Sequence, residues 1–281
     1  MSKPMPVQDF RAVRIVLEPD DFALGSEEPD PPPSDLVSAE TWHALTVLPD
    51  DVAIRTSDHN GEALTEAYSL CCRWSAATGD EADALFDPML DAGMDLENSI
   101  FSALHGYYRA GFSALRSALE LITIGACGSF ANNRQIYADW RSGAAEFSFG
   151  AACSRLVAEP TLDRFNNGLR RVGQSLFDPK DKTRGLVGGH ARQWYGELCD
   201  YAHSRPGFAD GDLWCSNGPI YVAEVFRNWQ RAWLHTVSLC AVLILLARRS
   251  AERTEIEALF TDRRDIVPDE LRRAFRVASA G

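Results

Sequence analysis

Two short stretches concentrate the residues able to do chemistry. The first, YYRAGFSALRSALELITIG (107–125), carries Arg109, Arg116 and Glu120 among small and apolar side chains. On a helical wheel Leu115, Leu119 and Ile122 share one arc, and Arg109, Ser113, Arg116 and Glu120 gather in a narrow polar stripe. Arg116 and Glu120 stand at i, i+4 and can pair directly. The second, RQWYGELCDYAHSR (192–205), sets Trp194, Leu198, Tyr201 and Ala202 at apolar positions and brings His203 to the end of a helix. A histidine held there by carboxylates or carbonyls titrates near neutrality and can move a proton. A guanidinium beside it can steady a developing anion through forked hydrogen bonds.

The stripe constrains the fold. If its helix is central, these charges must meet polar groups on another helix, because an unpaired buried charge costs on the order of several kcal/mol. We therefore expect His203 near Arg116 and Glu120. The plainer alternatives are a stripe that faces water and a His203 that only closes its helix on the last carbonyls. A second candidate pair is Arg231 with His235, again at i, i+4. Cys199 and His203 could supply half a metal site, but no second matched pair accompanies them. Asp210-Gly211-Asp212 is not a full calcium loop, and GLVGGH (185–190) lacks the Lys-Ser/Thr of a phosphate-binding loop. No HExxH or GxSxG occurs, so neither a metal nor a cofactor is expected.

The elements that must position these residues are mostly helical. Leu64, Ala67, Tyr68, Cys71 and Trp74 follow helical spacing, and a second helix is expected from about Asp83, with Pro88 in its first turns or dividing it. Further helices are expected over about 161–176, 190–203 and 220–250, and a last one after Pro268. Residues 126–160 read as packed but irregular, and the tail from Arg248, with eight Arg and seven acidic residues, as a solvated surface. Residues 1–60 differ. VRIVL (13–17) is a strand candidate, SEEPDPPPSD (26–35) an extended acidic linker, and WHALTVLPDDVAIRTS (42–57) a β-hairpin turning at Pro49-Asp50. The expected architecture is mainly α: a multi-helix bundle over 61–281 behind an acidic extension, 1–60, that holds a small β-hairpin.

Composition narrows the functions. The chain of 281 residues carries a formal net charge of −12, with 12 acidic against 4 basic residues in its first 60. Broad nucleic-acid binding needs a basic face, so RNA is expected at most at a small arginine-lined site. Seven scattered cysteines without a CxxC read as free thiols in a reducing compartment, and MSKPMPVQDFRAV lacks the apolar segment of a signal peptide, so the expected location is cytoplasmic. AWLHTVSLCAVLILLA (232–247) runs 16 residues without a charge. A membrane span needs about 20. We read it as a central buried helix, with a membrane helix as the alternative.

Taken together, YYRAGFSALRSALEL, a Trp some twenty residues on (Trp140), ELCDYAHSR and the long apolar helix resemble bacterial all-helical proteins of the HEPN type over about residues 61–250. The resemblance implies a helical bundle and a place in toxin–antitoxin or phage-defence systems, where many members are metal-independent ribonucleases. It would make His203, with Arg116 or Arg109, or else His235 with Arg231, the proton-transfer and phosphate-stabilising groups acting at a ribose 2′-hydroxyl. That family's motif is an Arg followed by four to six residues and then a His. Here ten residues separate Arg192 from His203, three separate Arg231 from His235, and seven separate Arg227 from His235. The leading expectation is a HEPN-like binding module whose partner is another protein or a second copy. A ribonuclease is the alternative, and a membrane-associated protein the third.

Overall fold

The computed structural model describes residues 37–81, 83–171, 175–178, 180–181, 186–202, 218–248 and 253–280. Through these the chain is mainly helical. The strand candidate at 13–17, the Pro-rich linker and His203 itself lie outside the described residues.

The β-hairpin expected over 42–57 is a helix instead. Helix α1 (Ala39–Trp42) starts at Ser38, whose hydroxyl accepts the Thr41 amide at 3.2 Å. It continues through one π-helical turn (His43–Val47) into α2 (Leu48–Ala77). The physical reason lies at Pro49. In that wide turn the Leu48 amide reaches back to the His43 carbonyl, which loosens the register where the proline has no N–H to give. Asp50 and Asp51, taken for turn residues, follow Pro49 in what is formally the first turn of α2. The helix kinks at Asn60, beside Gly61, where the expected boundary between extension and bundle fell.

Helix α3 (Phe86–Leu104) takes Pro88 into its first turn, where no N–H is missed. Gly106, at φ +78°, ends it. A Cβ there would fall on the Ile220 backbone, so the sharp turn into α4 (Tyr108–Gly128) needs glycine. The region read as irregular holds two short helices, α5 (Arg134–Arg141) and α6 (Phe149–Ala158). Then come α7 (Asp163–Arg170), α8 (His190–Ala202), α9 (Ala223–Ala247), α10 (Arg253–Glu257) and α11 (Asp269–Ser279). Lys180–Asp181 and Leu186–Val187 pair as a two-residue antiparallel ladder between α7 and α8.

Helix α4 sits at the centre, packed on α3, α9, α8, α6 and α5. Helix α9 is buried from Ala232 through Leu245 without a break. Both are long and apolar enough to cross a membrane, and both bury most of that apolar length inside this molecule. Their few polar groups find partners. Ser99 donates to the Gly111 carbonyl at 2.9 Å and accepts Trp229 Nε1 at 2.9 Å, and Trp194 Nε1 donates to Thr236 at 2.9 Å.

The tail is not solvated from its first residue. The Arg248 side chain is 3% exposed and closes the end of α2, donating to the Ala77 carbonyl at 2.6 Å, to the Thr78 carbonyl and to Asp83 Oδ2. A cation at a helix C-terminus satisfies carbonyls that have no helical donor. Arg248→Ala should therefore lower stability by about 2–4 kcal/mol. Arg248→Lys should restore only part of it, since an ammonium cannot fork to three acceptors. Urea melts of the two variants against wild type measure both effects, and an unchanged Arg248→Ala midpoint would refute the clamp.

Candidate functional site

The polar stripe of α4 faces α8, and the two helices run antiparallel. Arg109, nearest the start of α4, meets the last residue of α8: its Nε and a terminal nitrogen donate to the Ala202 carbonyl at 3.4 and 3.1 Å. Two turns on, Arg116 Nε meets Cys199 Sγ at 3.2 Å. One turn further, Tyr195 donates its hydroxyl to Glu120 at 2.8 Å. So contacts climb α4 as they descend α8. The helices also stack Phe112 on Tyr201, ring centres 4.1 Å apart.

Glu120 is the junction of this seam. Besides Tyr195 it pairs with Arg116 at 3.5 Å and accepts the Phe149 backbone N–H, at the first turn of α6, at 3.2 Å. A carboxylate there complements the positive end of a helix that Ser148 also caps. Phe149 in turn stacks flat on Tyr195, centres 3.8 Å apart, and Arg116 lies over the same ring. Burial and then the hydrogen bond to Glu120 hold the Tyr195 phenol well above its usual range, so it keeps its proton and donates. Burial opposes the charge on Arg116, but Cys199, Tyr195 and Glu120 outweigh it and the guanidinium stays ionised. The side chains of Arg116 and Glu120 remain 29% and 26% exposed. The stripe is thus neither fully sealed nor free in water. It is a half-buried joint between α4, α6 and α8.

The histidine of the second candidate pair faces the core. His235 turns inward from α9 onto His190 at the start of α8, Nε2 to Nε2 at 2.9 Å, and Trp194 stacks on its ring, centres 4.0 Å apart. No hydrogen bond or ion pair joins Arg231 to His235 among the described residues. Two imidazoles in such contact share one proton between facing nitrogens, so one donates and the other accepts. Burial pushes His190 down to about 4, and burial with the neighbouring His190 holds His235 well below the ordinary imidazole range. Both are neutral at physiological pH. Among the described residues no group of three or more His, Cys, Asp or Glu is placed to hold a metal ion.

Sequence reasoning missed His190, Tyr195 and the Phe149 amide. Tyr195, Cys199 and Ala202 fall at i, i+4 and i+7, so their shared face of α8 could have been read from spacing. The link from His190 to His235 across 45 positions could not. No protein-family model, no curated protein and no solved structure matches the chain.

Two measurements check this geometry. Glu120→Ala should cost about 1–3 kcal/mol, because it strands a phenol, an amide and a guanidinium in a half-buried seam. Glu120→Gln should cost less, since the amide oxygen still accepts. A chemical denaturation midpoint for Glu120→Ala equal to that of wild type would contradict the joint. The histidine pair predicts acid sensitivity. Both imidazoles have folded values below the ordinary 6.5, so the unfolded chain binds more protons in acid. Their contribution is complete above about pH 6.5 and is lost as pH falls toward 4, by about 2–3 kcal/mol for His190 alone at pH 4.5. His190→Asn should show a smaller drop in Tm between pH 7 and pH 4.5 than wild type. Equal drops would rule the pair out as a source of acid sensitivity.

Proposed function

We propose that the chain is a helical interaction module of the HEPN type, acting in the toxin–antitoxin or phage-defence setting that the resemblance implies. One observation carries the reading: the chemically capable groups of the stripe are committed to holding helices together. Arg109 is spent on the end of α8, Glu120 on Tyr195, Phe149 and Arg116, and Arg116 on Cys199 and Glu120. His235 is sealed against His190 and Trp194. A catalytic histidine must reach its substrate, and a general base needs a value near the working pH. Neither holds for His235. Reaction with a partner then depends on the outer surface of the bundle.

A second reading has its own observation. Arg109 grips the carbonyl of Ala202, the residue directly before His203. A guanidinium anchored one peptide from a histidine is the arrangement a metal-independent ribonuclease would use, with Arg109 and Arg116 as the cations and His203 as the proton carrier. The two readings part in one assay: purified wild type and His203→Ala incubated with total RNA, read as fragment length on a denaturing gel. The module reading expects intact RNA with both proteins. Cleavage by wild type that His203→Ala abolishes would replace it with the ribonuclease.

A further inference from the structure

Helix α3 turns an apolar row outward. Leu90, Met94 and Phe101, spaced by four and then seven residues, are 47%, 64% and 63% exposed, while Met89, Leu96, Ile100 and Ala103 on the opposite side are buried. Single exposed apolar residues are ordinary, but these three share one side of α3, with the exposed Glu97 and Asn98 between Met94 and Phe101. Helix α2 packs beside α3. Tyr68, also exposed, lies one turn before Cys71, whose thiol feels the charge of Glu97 on α3.

Carboxylates border the row on both sides. Glu97 lies toward α2. Asp87, Asp91 and Asp95 climb the flank toward α4, where Asp95 shares a hydrogen bond with Ser117. Arg141 neutralises Asp87. Among the described residues no cation pairs with Asp91 or Glu97. Like charges four apart on a helix repel. Burial, with Asp91 adding to it, holds the Asp95 carboxyl above its usual range.

Resting on the reading of the chain as an interaction module, we propose that this α3 face docks a basic amphipathic helix of a partner protein. Its apolar side would lie along Leu90, Met94 and Phe101, and its Lys or Arg residues would meet Asp91, Asp95 and Glu97. Unbranched Met94 can repack around differing apolar anchors. Charge decides against the other occupants. Residues 1–36 of this chain carry eight acidic and three basic side chains. A two-fold contact with a second copy would set Asp91 and Glu97 against their own duplicates. An anionic lipid surface would be repelled.

The test uses the full chain and a labelled synthetic helix with Leu and Phe at heptad spacing and Lys and Arg on its flanks, followed by fluorescence anisotropy at about 50 mM salt. Wild type should bind it. Met94→Ser with Phe101→Ser should weaken binding by about tenfold. Asp91→Asn with Glu97→Gln should weaken it several-fold and flatten its salt dependence. All four positions are exposed, and circular dichroism confirms that the variants fold. No binding by wild type, equal binding by the Met94/Phe101 variant, or equal binding of a peptide with Glu in place of Lys and Arg each overturns the proposal. So does a wild-type dimer in sedimentation that the Met94/Phe101 variant dissolves, since the face would then belong to a second copy. The RNA assay does not depend on this face, so failure of the module reading and failure of the docking site register in different experiments.

Discussion

The burial of two apolar helices, α4 and α9, inside one bundle is the constraint that the remaining structure serves. Helix α9 is buried all round from Ala232 to Leu245, and α4 leaves only one half-buried polar stripe, so both must be wrapped by other elements. Close wrapping needs small residues at the contacts. Gly111 of α4 lies under Trp229 of α9, Gly125 against Pro88 of α3, and Gly128 against Tyr137 of α5. A larger side chain at any of these would push a neighbouring helix away from the centre.

Wrapping also dictates what happens to polar groups. Most buried hydroxyls, indoles and imidazoles take a partner from a neighbouring element. Ser99 therefore serves both Gly111 and Trp229, Thr236 serves Trp194, and His235 serves His190. At the rim of the core the same demand produces charged joints. Glu120 ties α4 to α8 and α6, and Arg248 ties the end of α9 to the α2–α3 turn. Arg116 with Glu120, and His190 with His235, each lie where two or more helices meet. The outward side of α3 escapes that demand, which is why an apolar row there asks for an explanation that the core does not.

How much was legible depended on length and period. Helices α4 and α9 are evident because long runs of apolar residues leave little ambiguity, α11 because Pro268 marks its start, and the polar stripe of α4 follows from the wheel alone. Residues 42–57 misled because Pro49 followed by two aspartates is turn chemistry in a hairpin, whereas here a helix already running from Ala39 takes the proline in. The π turn that admits the proline has no sequence mark of its own. Helices α5 and α6 were too short, at 8 and 10 residues, for periodicity to stand out. Arg248 read as the first residue of a charged tail, because nothing local tells a solvated arginine from one that caps a distant helix.

The amino-acid sequence alone determined that this is a mainly helical chain with two strongly apolar helices and that Arg109, Arg116 and Glu120 share one side of α4. Those are consequences of spacing, and spacing is local. Which elements those side chains meet was decided only by the tertiary structure. Antiparallel packing of α8 on α4 brings Tyr195 and Cys199 to the stripe, and the crossing of α8 with α9 brings His190 to His235. Contacts between groups 45 and 171 positions apart depend on how whole helices fill a shared core, and packing of that kind leaves no periodic trace along the chain.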